Sequence, residues 1–244
     1  MILEFDIGNT TLKWRLLDIA GAVIKRGRLG SVAQLPEIEG SLEGVTRIRV
    51  SSVATPATAA TLDKWVRSRL GPGIELAQAE GACAGLTNSY AEPERMGVDR
   101  WLAMLAAYVP RGRAVLVIDA GTALTLDFID AGGQHRGGYI LPGQVLSQDA
   151  LLRETSRVRF TEDSIVCALP GRSTAEAVRN GALFSLVAAA TAAARQARSF
   201  WGDDFAAVIT GGDGEVVHDH LVAAGEVCEF VPDLVFEVLG FALP

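Results

Sequence analysis

Hydrophobic and polar positions along the chain follow two periods, one typical of strands and the other typical of helices. Residues 2–17 predict a strand, a turn and a second strand, because two apolar stretches flank a polar centre that contains Gly and Asn. Residues 47–53 alternate with a period of two and predict another strand. Thr55 and Pro56 form a typical helix start, and apolar residues at helical spacing follow as far as Gly71. The first third of the chain therefore combines strands with a helix.

The rest of the chain continues this alternation. Residues 88–97 predict a loop, since they are polar and contain Pro and Gly, and a helix is expected from Asp99 through Val109. Residues 114–129 predict a second strand, turn and strand. The further predicted elements are a hairpin and turn at 134–143, helices at 144–153 and from about residue 182 to 201, a Ser/Thr helix start at 171–178, a strand at 206–210 and an apolar segment at 234–243. This order favours an α/β fold.

The strand–turn–strand pattern occurs twice, near the start of each half of the chain. Asp6 and Gly8 in the first turn correspond without a gap to Asp119 and Gly121 in the second. A supersecondary unit that returns after about half the length indicates two related halves, which we place at residues 1–112 and 113–244.

Composition excludes several classes of protein. The chain has 244 residues and a net charge of −7, which disfavours a nucleic-acid partner because binding to DNA or RNA depends on neutralising phosphates. The three cysteines, Cys83, Cys167 and Cys228, form no CxxC pair, so we expect free thiols in a reducing compartment rather than disulfides or a zinc ribbon.

Targeting and membrane signals are also weak. The chain begins with two carboxylates and no basic region, a pattern unlike that of a signal peptide. The longest apolar stretch, residues 182–194, is shorter than the roughly 20 residues that span a bilayer. We therefore expect a cytoplasmic protein without a membrane partner.

The first turn carries groups suited to a nucleotide phosphate. A glycine at position 8 lets a phosphate approach the backbone, and Asn9–Thr11 offer amide and hydroxyl donors. Lys13 adds a point charge, and the carboxylate of Asp6 suits Mg²⁺, directly or through water. An ordinary hairpin turn uses the same residue types and remains the alternative at this point.

The second turn, Asp119–Thr122, strengthens the phosphate interpretation, because two such turns suit a cleft that holds a nucleotide phosphate tail from two sides. Gly211, Gly212 and Asp213 form a third glycine turn at a strand end, suited to a nucleoside; a plain strand-to-helix turn remains equally possible.

Gly97–Arg100 lies where a loop meets a helix. Asp99 is suited to accept the proton of a substrate hydroxyl, and Arg100 to pair with a carboxylate or phosphate, whereas the alternative is a helix cap beside a surface arginine. His218–His220 offers two imidazoles in what we expect to be a surface loop, too few ligands for a metal site.

Six motifs follow one another between residue 6 and about residue 213: DIGNTTLKW, GVDRW, DAGTALTLD, GGYILPG, GRSTAEAV and TGGD. In their order and spacing, this sequence resembles the type III pantothenate kinases. The resemblance implies the fold of the acetate and sugar kinase, Hsp70 and actin superfamily: α/β, with two ribonuclease H-like halves, each a mixed five-stranded sheet with helices, around a central nucleotide cleft. It also implies phosphorylation of pantothenate by ATP to 4′-phosphopantothenate, the first step of coenzyme A biosynthesis, by a homodimer.

The same resemblance implies roles for individual residues. Residues implied to bind ATP are Asp6, Ile7, Gly8, Asn9, Thr10, Thr11, Leu12, Lys13, Gly121, Thr122, Gly211 and Gly212. Residues implied to bind pantothenate are Tyr90, Gly97, Val98, Asp99, Arg100 and Thr174, with Asp99 orienting or deprotonating the primary hydroxyl and Arg100 facing the carboxylate. Asp119 is implied to bind K⁺ or NH₄⁺, and Asp6 to lie near Mg²⁺.

Two other functions compete with this one. One alternative is a related kinase that acts on another small alcohol or carboxylate. The other is a non-catalytic accessory or regulatory protein that retains the nucleotide cleft. The presence of Asp6, Asp99, Arg100, Asp119 and Thr174 favours a kinase, because a regulator has no need of all five.

Overall fold

A computed structural model describes residues 1–8, 10–156, 158–160 and 166–244. These residues form two compact units. The first unit contains Met1–Cys83, Tyr90–Ala106 and Leu234–Pro244, and the second contains Ala84–Ser89 and Ala107–Asp233. The chain thus returns to the first unit at its end. The functional halves at 1–112 and 113–244 stay a prediction.

The first part of the chain supplies one sheet. Its elements are β1 (Ile2–Ile7), β2 (Leu12–Leu17), β3 (Val23–Leu29), a 3₁₀ helix (Val32–Ser41), β4 (Arg47–Ser52), α1 (Pro56–Arg69), β5 (Ile74–Leu76) and β6 (Ala82–Cys83). Next come β7 (Leu86–Thr87), a short 3₁₀ helix (Pro93–Arg95) and α2 (Val98–Tyr108). The second sheet and its helices use β8 (Ala114–Ala120), β9 (Ala123–Ile129), β10 (His135–Pro142), α3 (Gln144–Glu154), α4 (Thr174–Trp201), β11 (Phe205–Thr210), α5 (Gly214–Ala223) and β12 (Glu229–Phe230), and α6 (Phe236–Ala242) follows.

The two five-stranded sheets have the same topology. The first has the strand order β3-β2-β1-β4-β5 and the second β10-β9-β8-β11-β12. In each, three consecutive antiparallel strands are extended by two parallel ones. The prediction of two mixed five-stranded sheets is confirmed, and β1 and β8, which carry Asp6 and Asp119, occupy the same central position.

Strand alternation separates an apolar face from a polar face in the first sheet. Leu3, Phe5 and Ile7 of β1 belong to a buried cluster that includes residues of the 3₁₀ helix and α1. Because successive side chains point to opposite faces, Glu4 and Asp6 lie on the other face. The core therefore holds β1 rigidly while its carboxylates remain on the polar side.

The second sheet uses the same division. Leu116, Ile118 and Ala120 of β8 pack in a cluster with residues of α4 and α5. Helix α4 is long and apolar enough to span a membrane by length and composition, but its alanines at 190, 193, 194 and 197 are buried in this core. It is a core helix of the second unit.

Several local predictions need correction. Helix α4 begins at Thr174 instead of near residue 182: the Ser173 hydroxyl caps it by accepting from the Glu176 amide at 3.2 Å, and it continues through Gly181. The hairpin expected at 134–143 is instead the single strand β10 (His135–Pro142). Gly137 takes a φ of 103° and the register shifts between His135 and Gly138, which indicates a β-bulge within this strand.

Two helix starts also differ from expectation. Thr55 precedes α1 as predicted, but its hydroxyl contacts the Thr58 hydroxyl at 3.1 Å and makes no capping bond to the backbone. Helix α2 begins at Val98, one residue before the predicted start, because the Gly97 carbonyl already accepts from the Trp101 amide at 3.1 Å.

Candidate active site

The first Asp-x-Gly turn joins β1 to β2. The Gly8 amide donates to the Thr11 carbonyl at 3.0 Å, which closes the turn, and the side chains of Thr10 and Thr11 are exposed. Asn9 lies outside the described residues. The turn thus presents two hydroxyls at the end of a rigid strand pair.

Asp6 lies one residue before the end of β1. Its Cα partners are Lys13 on β2 and Ser51 on β4, and residues paired in this way lie on the same face of the sheet. Among the described residues, the fully buried Ser51 hydroxyl has no hydrogen-bond partner. A carboxylate, an ammonium group and an unpaired hydroxyl therefore lie side by side.

Ile7 and Leu12 are the sequence neighbours of Asp6 and Lys13, but their side chains lie on the opposite face of the sheet. Their side chains are 3% and 1% exposed and belong to the apolar core. Any contact they make with a phosphate is through the backbone, so their predicted role depends on the turn conformation rather than on side-chain chemistry.

A buried ion cluster lies two residues before Asp6. Glu4 is fully buried, with Arg15 Nε at 2.6 Å and Arg49 Nη1 at 3.4 Å from its carboxylate oxygens. Arg15 also lies 5.0 Å from the centre of the Phe236 ring on α6 and donates to the Phe236 carbonyl. Because removal of one partner would leave an uncompensated buried charge, loss of Arg15 or Glu4 would destabilise the strands that carry Asp6 and Lys13.

The start of α2 brings together five of the residues predicted to bind pantothenate. Asp99 Oδ1 accepts from the Arg100 amide at 2.8 Å, and a Cβ atom at Gly97 would lie only 2.5 Å from that same oxygen. Arg100 is 6% exposed, and its Nη1 donates to the Tyr90 hydroxyl at 3.0 Å. Val98 is buried. The loop and helix therefore present one carboxylate beside one oriented guanidinium.

In the second unit, the ends of β8 and β11 converge on Asp119. Its Cα partners are Thr125 and Thr210, so a carboxylate and two hydroxyl residues share one row. Gly211 has a φ of 96°, and a Cβ there would lie 2.5 Å from Asp119 Oδ1. A glycine is therefore required for this close approach.

Three residues outside the predicted site join this arrangement. The Gly143 amide donates to the Thr122 carbonyl at 3.0 Å, and a Cβ at Gly143 would lie 2.2 Å from the Gly121 carbonyl oxygen. The Asp213 amide donates to the Ala120 carbonyl at 2.8 Å. Burial raises the pKa of the Asp213 carboxyl, while a side-chain hydrogen bond with Gln144 acts in the opposite direction.

Gly143 and Asp213 belong to the GGYILPG and TGGD motifs, so a signal for them was present in the sequence. The sequence contained no such signal for Gln144. The turns after β8, β10 and β11 thus form one cluster, which we call the second-unit turn cluster (residues 119–122, 143–144 and 211–213).

The remaining predicted residues differ in their surroundings. Thr122 and Gly212 are exposed at the second-unit turn cluster, and nothing lies within 4 Å of a Cβ built at Gly212. Thr174 is exposed at the first position of α4.

The two histidines at positions 218 and 220 lie on α5, so the expected surface loop is wrong. His218 Nδ1 is 3.0 Å from its neighbour Asp219, and His220 Nδ1 is 2.7 Å from the Val216 carbonyl oxygen. Within the described part of the chain, no group of three or more His, Cys, Asp or Glu side chains is placed to hold a metal.

Comparison with known sequences decides the family. A sequence model of type III pantothenate kinases matches residues 2–196. The chain belongs to the type III pantothenate kinase family. Curated relatives of that name include proteins from Ectopseudomonas mendocina and Pseudomonas syringae pv. syringae, each 41% identical over 100% of this chain and 99% of the relative. The predicted family is thus confirmed over the full length.

Solved structures support the fold of this pantothenate kinase family member. A protein assigned as a 2-dehydro-3-deoxygalactonokinase from Sinorhizobium meliloti has a TM-score of 0.61 at 15% identity, covering 99% of this chain and 98% of that one. A protein assigned as a Baf family transcriptional activator from Campylobacter jejuni has a TM-score of 0.59 at 21% identity, covering 99% and 96%. These similarities show a shared fold and nothing about activity.

Proposed function

We propose that the chain transfers the γ-phosphoryl group of ATP to the primary hydroxyl of pantothenate, giving ADP and 4′-phosphopantothenate in the first step of coenzyme A biosynthesis. Membership of the type III pantothenate kinase family, at 41% identity over the whole chain, is the observation that carries this proposal. No observation favours an accessory protein or a kinase of another class.

The two turns are suited to the phosphates. Phosphoryl transfer depends mainly on positioning and on neutralising charge, so backbone amides, hydroxyls and a lysine are the groups required. In the first unit, Gly8, the two threonines and Lys13 supply these groups beside Asp6. In the second, Gly121 and Thr122 supply a comparable turn.

The start of α2 is suited to the acceptor. The Arg100 guanidinium, oriented by the Tyr90 hydroxyl, would pair with the carboxylate of pantothenate. Asp99, in the first turn of the helix, would hold the primary hydroxyl. A carboxylate is a far weaker base than an alkoxide, so Asp99 would mainly align the hydroxyl for attack. The proton would be transferred late in the step, as the bond to ADP breaks.

The oxygen donors fit the predicted cations. The unpaired, buried Ser51 hydroxyl beside Asp6 fits a hydrated Mg²⁺, and Asp119 with its neighbouring threonines fits K⁺ or NH₄⁺. When bound, the divalent cation neutralises charge on the phosphates. In this proposal Asp6 and Asp119 hold the cations, while Lys13 and Asp99 contact the reacting groups.

We also propose that the protein is a homodimer and that it is cytoplasmic. The second unit exposes large apolar side chains on β10, α3 and α4, which suit burial against a second copy. These are Tyr139, Ile140, Val145, Leu146, Leu151 and Phe184. The buried face of α4 shows that it serves the core of its unit.

The role of Asp99 is tested with Asp99→Asn, using Asp219→Asn on α5 as a control at an exposed carboxylate. We expect Asp99→Asn to lower kcat by at least ~10²-fold while the Kd for ATP stays nearly unchanged. The control should keep its turnover. Near-wild-type turnover in Asp99→Asn would remove this residue from the mechanism.

A further inference from the structure

A buried hydrogen-bond chain runs through the second unit, apart from the groups assigned to the reaction. His135 Nε2 lies 3.1 Å from Asp127 Oδ1, and His135 Nδ1 lies 2.9 Å from the hydroxyl of Ser89. The His135 and Asp127 side chains are 0% and 2% exposed, whereas Ser89 is exposed. The chain thus leads from the interior of the unit to one surface hydroxyl.

Its interior end lies in the sheet that carries Asp119. Asp127 is on β9, two residues from Thr125, which is paired with Asp119. Since strand side chains alternate, Asp127, Thr125 and Asp119 lie on the same face. Replacing both partners of a buried hydrogen bond by apolar groups of the same shape can leave stability nearly unchanged, so packing alone does not require a polar pair here.

Its outer end lies in a short segment that is held at several points. The Thr87 amide donates to the Gly133 carbonyl at 2.8 Å, and a Cβ at Gly133, which has a φ of 79°, would lie 2.0 Å from the Gly85 carbonyl oxygen. Ser89 is the last residue of this stretch of the second unit, and Tyr90, the next residue, begins a stretch of the first. The backbone entering Tyr90 is therefore anchored through Ser89.

The direction of the bonds follows from the chemistry of the groups. An ionised carboxylate only accepts, so with a neutral ring the Nε2–H of His135 donates to Asp127. Nδ1 is then an acceptor, and the Ser89 hydroxyl donates to it. This leaves Ser89 in one orientation, which a freely rotating surface serine would not have.

We propose that Asp127, His135 and Ser89 form a positioning relay that fixes the entry to Tyr90, and through the Tyr90–Arg100 hydrogen bond the group that receives the pantothenate carboxylate. The three are positioning residues, because none is placed on a reacting atom. This inference rests on the proposed function and adds a determinant of pantothenate affinity to it. The same residue types form the catalytic triad of serine hydrolases, and a nucleophilic serine is the competing outcome.

The test compares Ser89→Ala with Ser89→Thr, which retains the hydroxyl, and with Ser68→Ala, a control at an exposed serine on α1. Loss of one hydrogen bond should raise the KM for pantothenate roughly 2- to 12-fold in Ser89→Ala, with the KM for ATP unchanged. Ser89→Thr should restore the wild-type value, and Ser68→Ala should not differ from it. Hydrogen exchange of residues 86–92 should accelerate only in Ser89→Ala.

Three results would overturn the relay: an unchanged KM for pantothenate in Ser89→Ala, an equal rise in both KM values, or failure of Ser89→Thr to restore the first. Covalent labelling of wild-type Ser89 by a fluorophosphonate probe would also overturn it, since this would show a nucleophile. Absence of pantothenate turnover in the wild-type protein would instead refute the proposed function, so the two failures are distinguishable.

Discussion

Two separate substitutions, Gly211→Ala and Gly212→Ala, test two different reasons for a glycine. We expect the fold to require Gly211, and we expect Gly212 to leave room for a ligand. The two are neighbours after β11, yet their surroundings are opposite. A Cβ at Gly211 would lie 2.4 Å from the Ala120 carbonyl oxygen and 2.5 Å from Asp119 Oδ1, at a φ of 96°. A Cβ at Gly212 would meet nothing within 4 Å.

The expected loss of stability in Gly211→Ala has two sources. A non-glycine residue in such a backbone conformation costs about 1–3 kcal/mol, and forcing a methyl group against backbone costs about 1–3 kcal/mol more. The free energy of unfolding should therefore fall by about 2–6 kcal/mol. At roughly 2–4 °C per kcal/mol for a chain of this length, Tm should fall by at least about 4 °C. Gly212→Ala should leave Tm unchanged or slightly raised.

Thermal unfolding of both variants beside wild type gives the first readout, and the KM for ATP gives the second. If the space over Gly212 receives the nucleoside, its methyl group should raise the KM for ATP by about tenfold or more in a protein of normal stability. A wild-type Tm in Gly211→Ala, or equal Tm losses in both variants, would show that the close contacts at Gly211 do not require a glycine there.

Three further predictions concern single groups. Asp119→Asn should stay folded but lose activation by K⁺ in an ADP-release assay, and a rate that still rises fully with KCl would refute that role. Ser173→Ala should lower the free energy of unfolding by about 1 kcal/mol, because the cap on the Glu176 amide is lost; an unchanged urea midpoint would contradict this. Burial raises the pKa of Asp213, so the folded state keeps a proton that the unfolded state has released, and stability falls as pH rises from the ordinary aspartate pKa through the raised one. Asp213→Asn should remove that decline in urea unfolding across the pH series, and an identical pH profile would show that Asp213 does not cause it.

The local pattern of apolar and polar residues was sufficient to predict the strand–turn–strand unit in both halves of the chain. Asp6 and Asp119 each follow an apolar strand and precede a glycine, and this spacing alone placed both near the ends of β1 and β8. The two equivalent five-stranded sheets follow from the same repetition together with the family resemblance. The exact ends of helices were less predictable. The backbone carbonyl of Gly97 starts α2 one residue early, which composition does not show. The Ser173 hydroxyl caps a helix that continues through Gly181, where the sequence had suggested two separate elements.

Contacts between distant positions could not be predicted from periodicity. Arg15 and Phe236 are 221 positions apart, and Ser89 and His135 are 46 apart. Neither the return of α6 to the first unit nor the close approach of Gly143 to Gly121 leaves a periodic signal. The polar relay and the second-unit turn cluster therefore became visible only with the tertiary structure.

Pantothenate kinase activity is tested most directly by ADP release from ATP and Mg²⁺, measured with and without pantothenate, in K⁺ and then in Na⁺ buffer. We predict turnover that requires pantothenate and is much faster in K⁺. Absence of pantothenate-dependent ADP release under every condition, from a folded protein that still binds ATP, would contradict the proposed function.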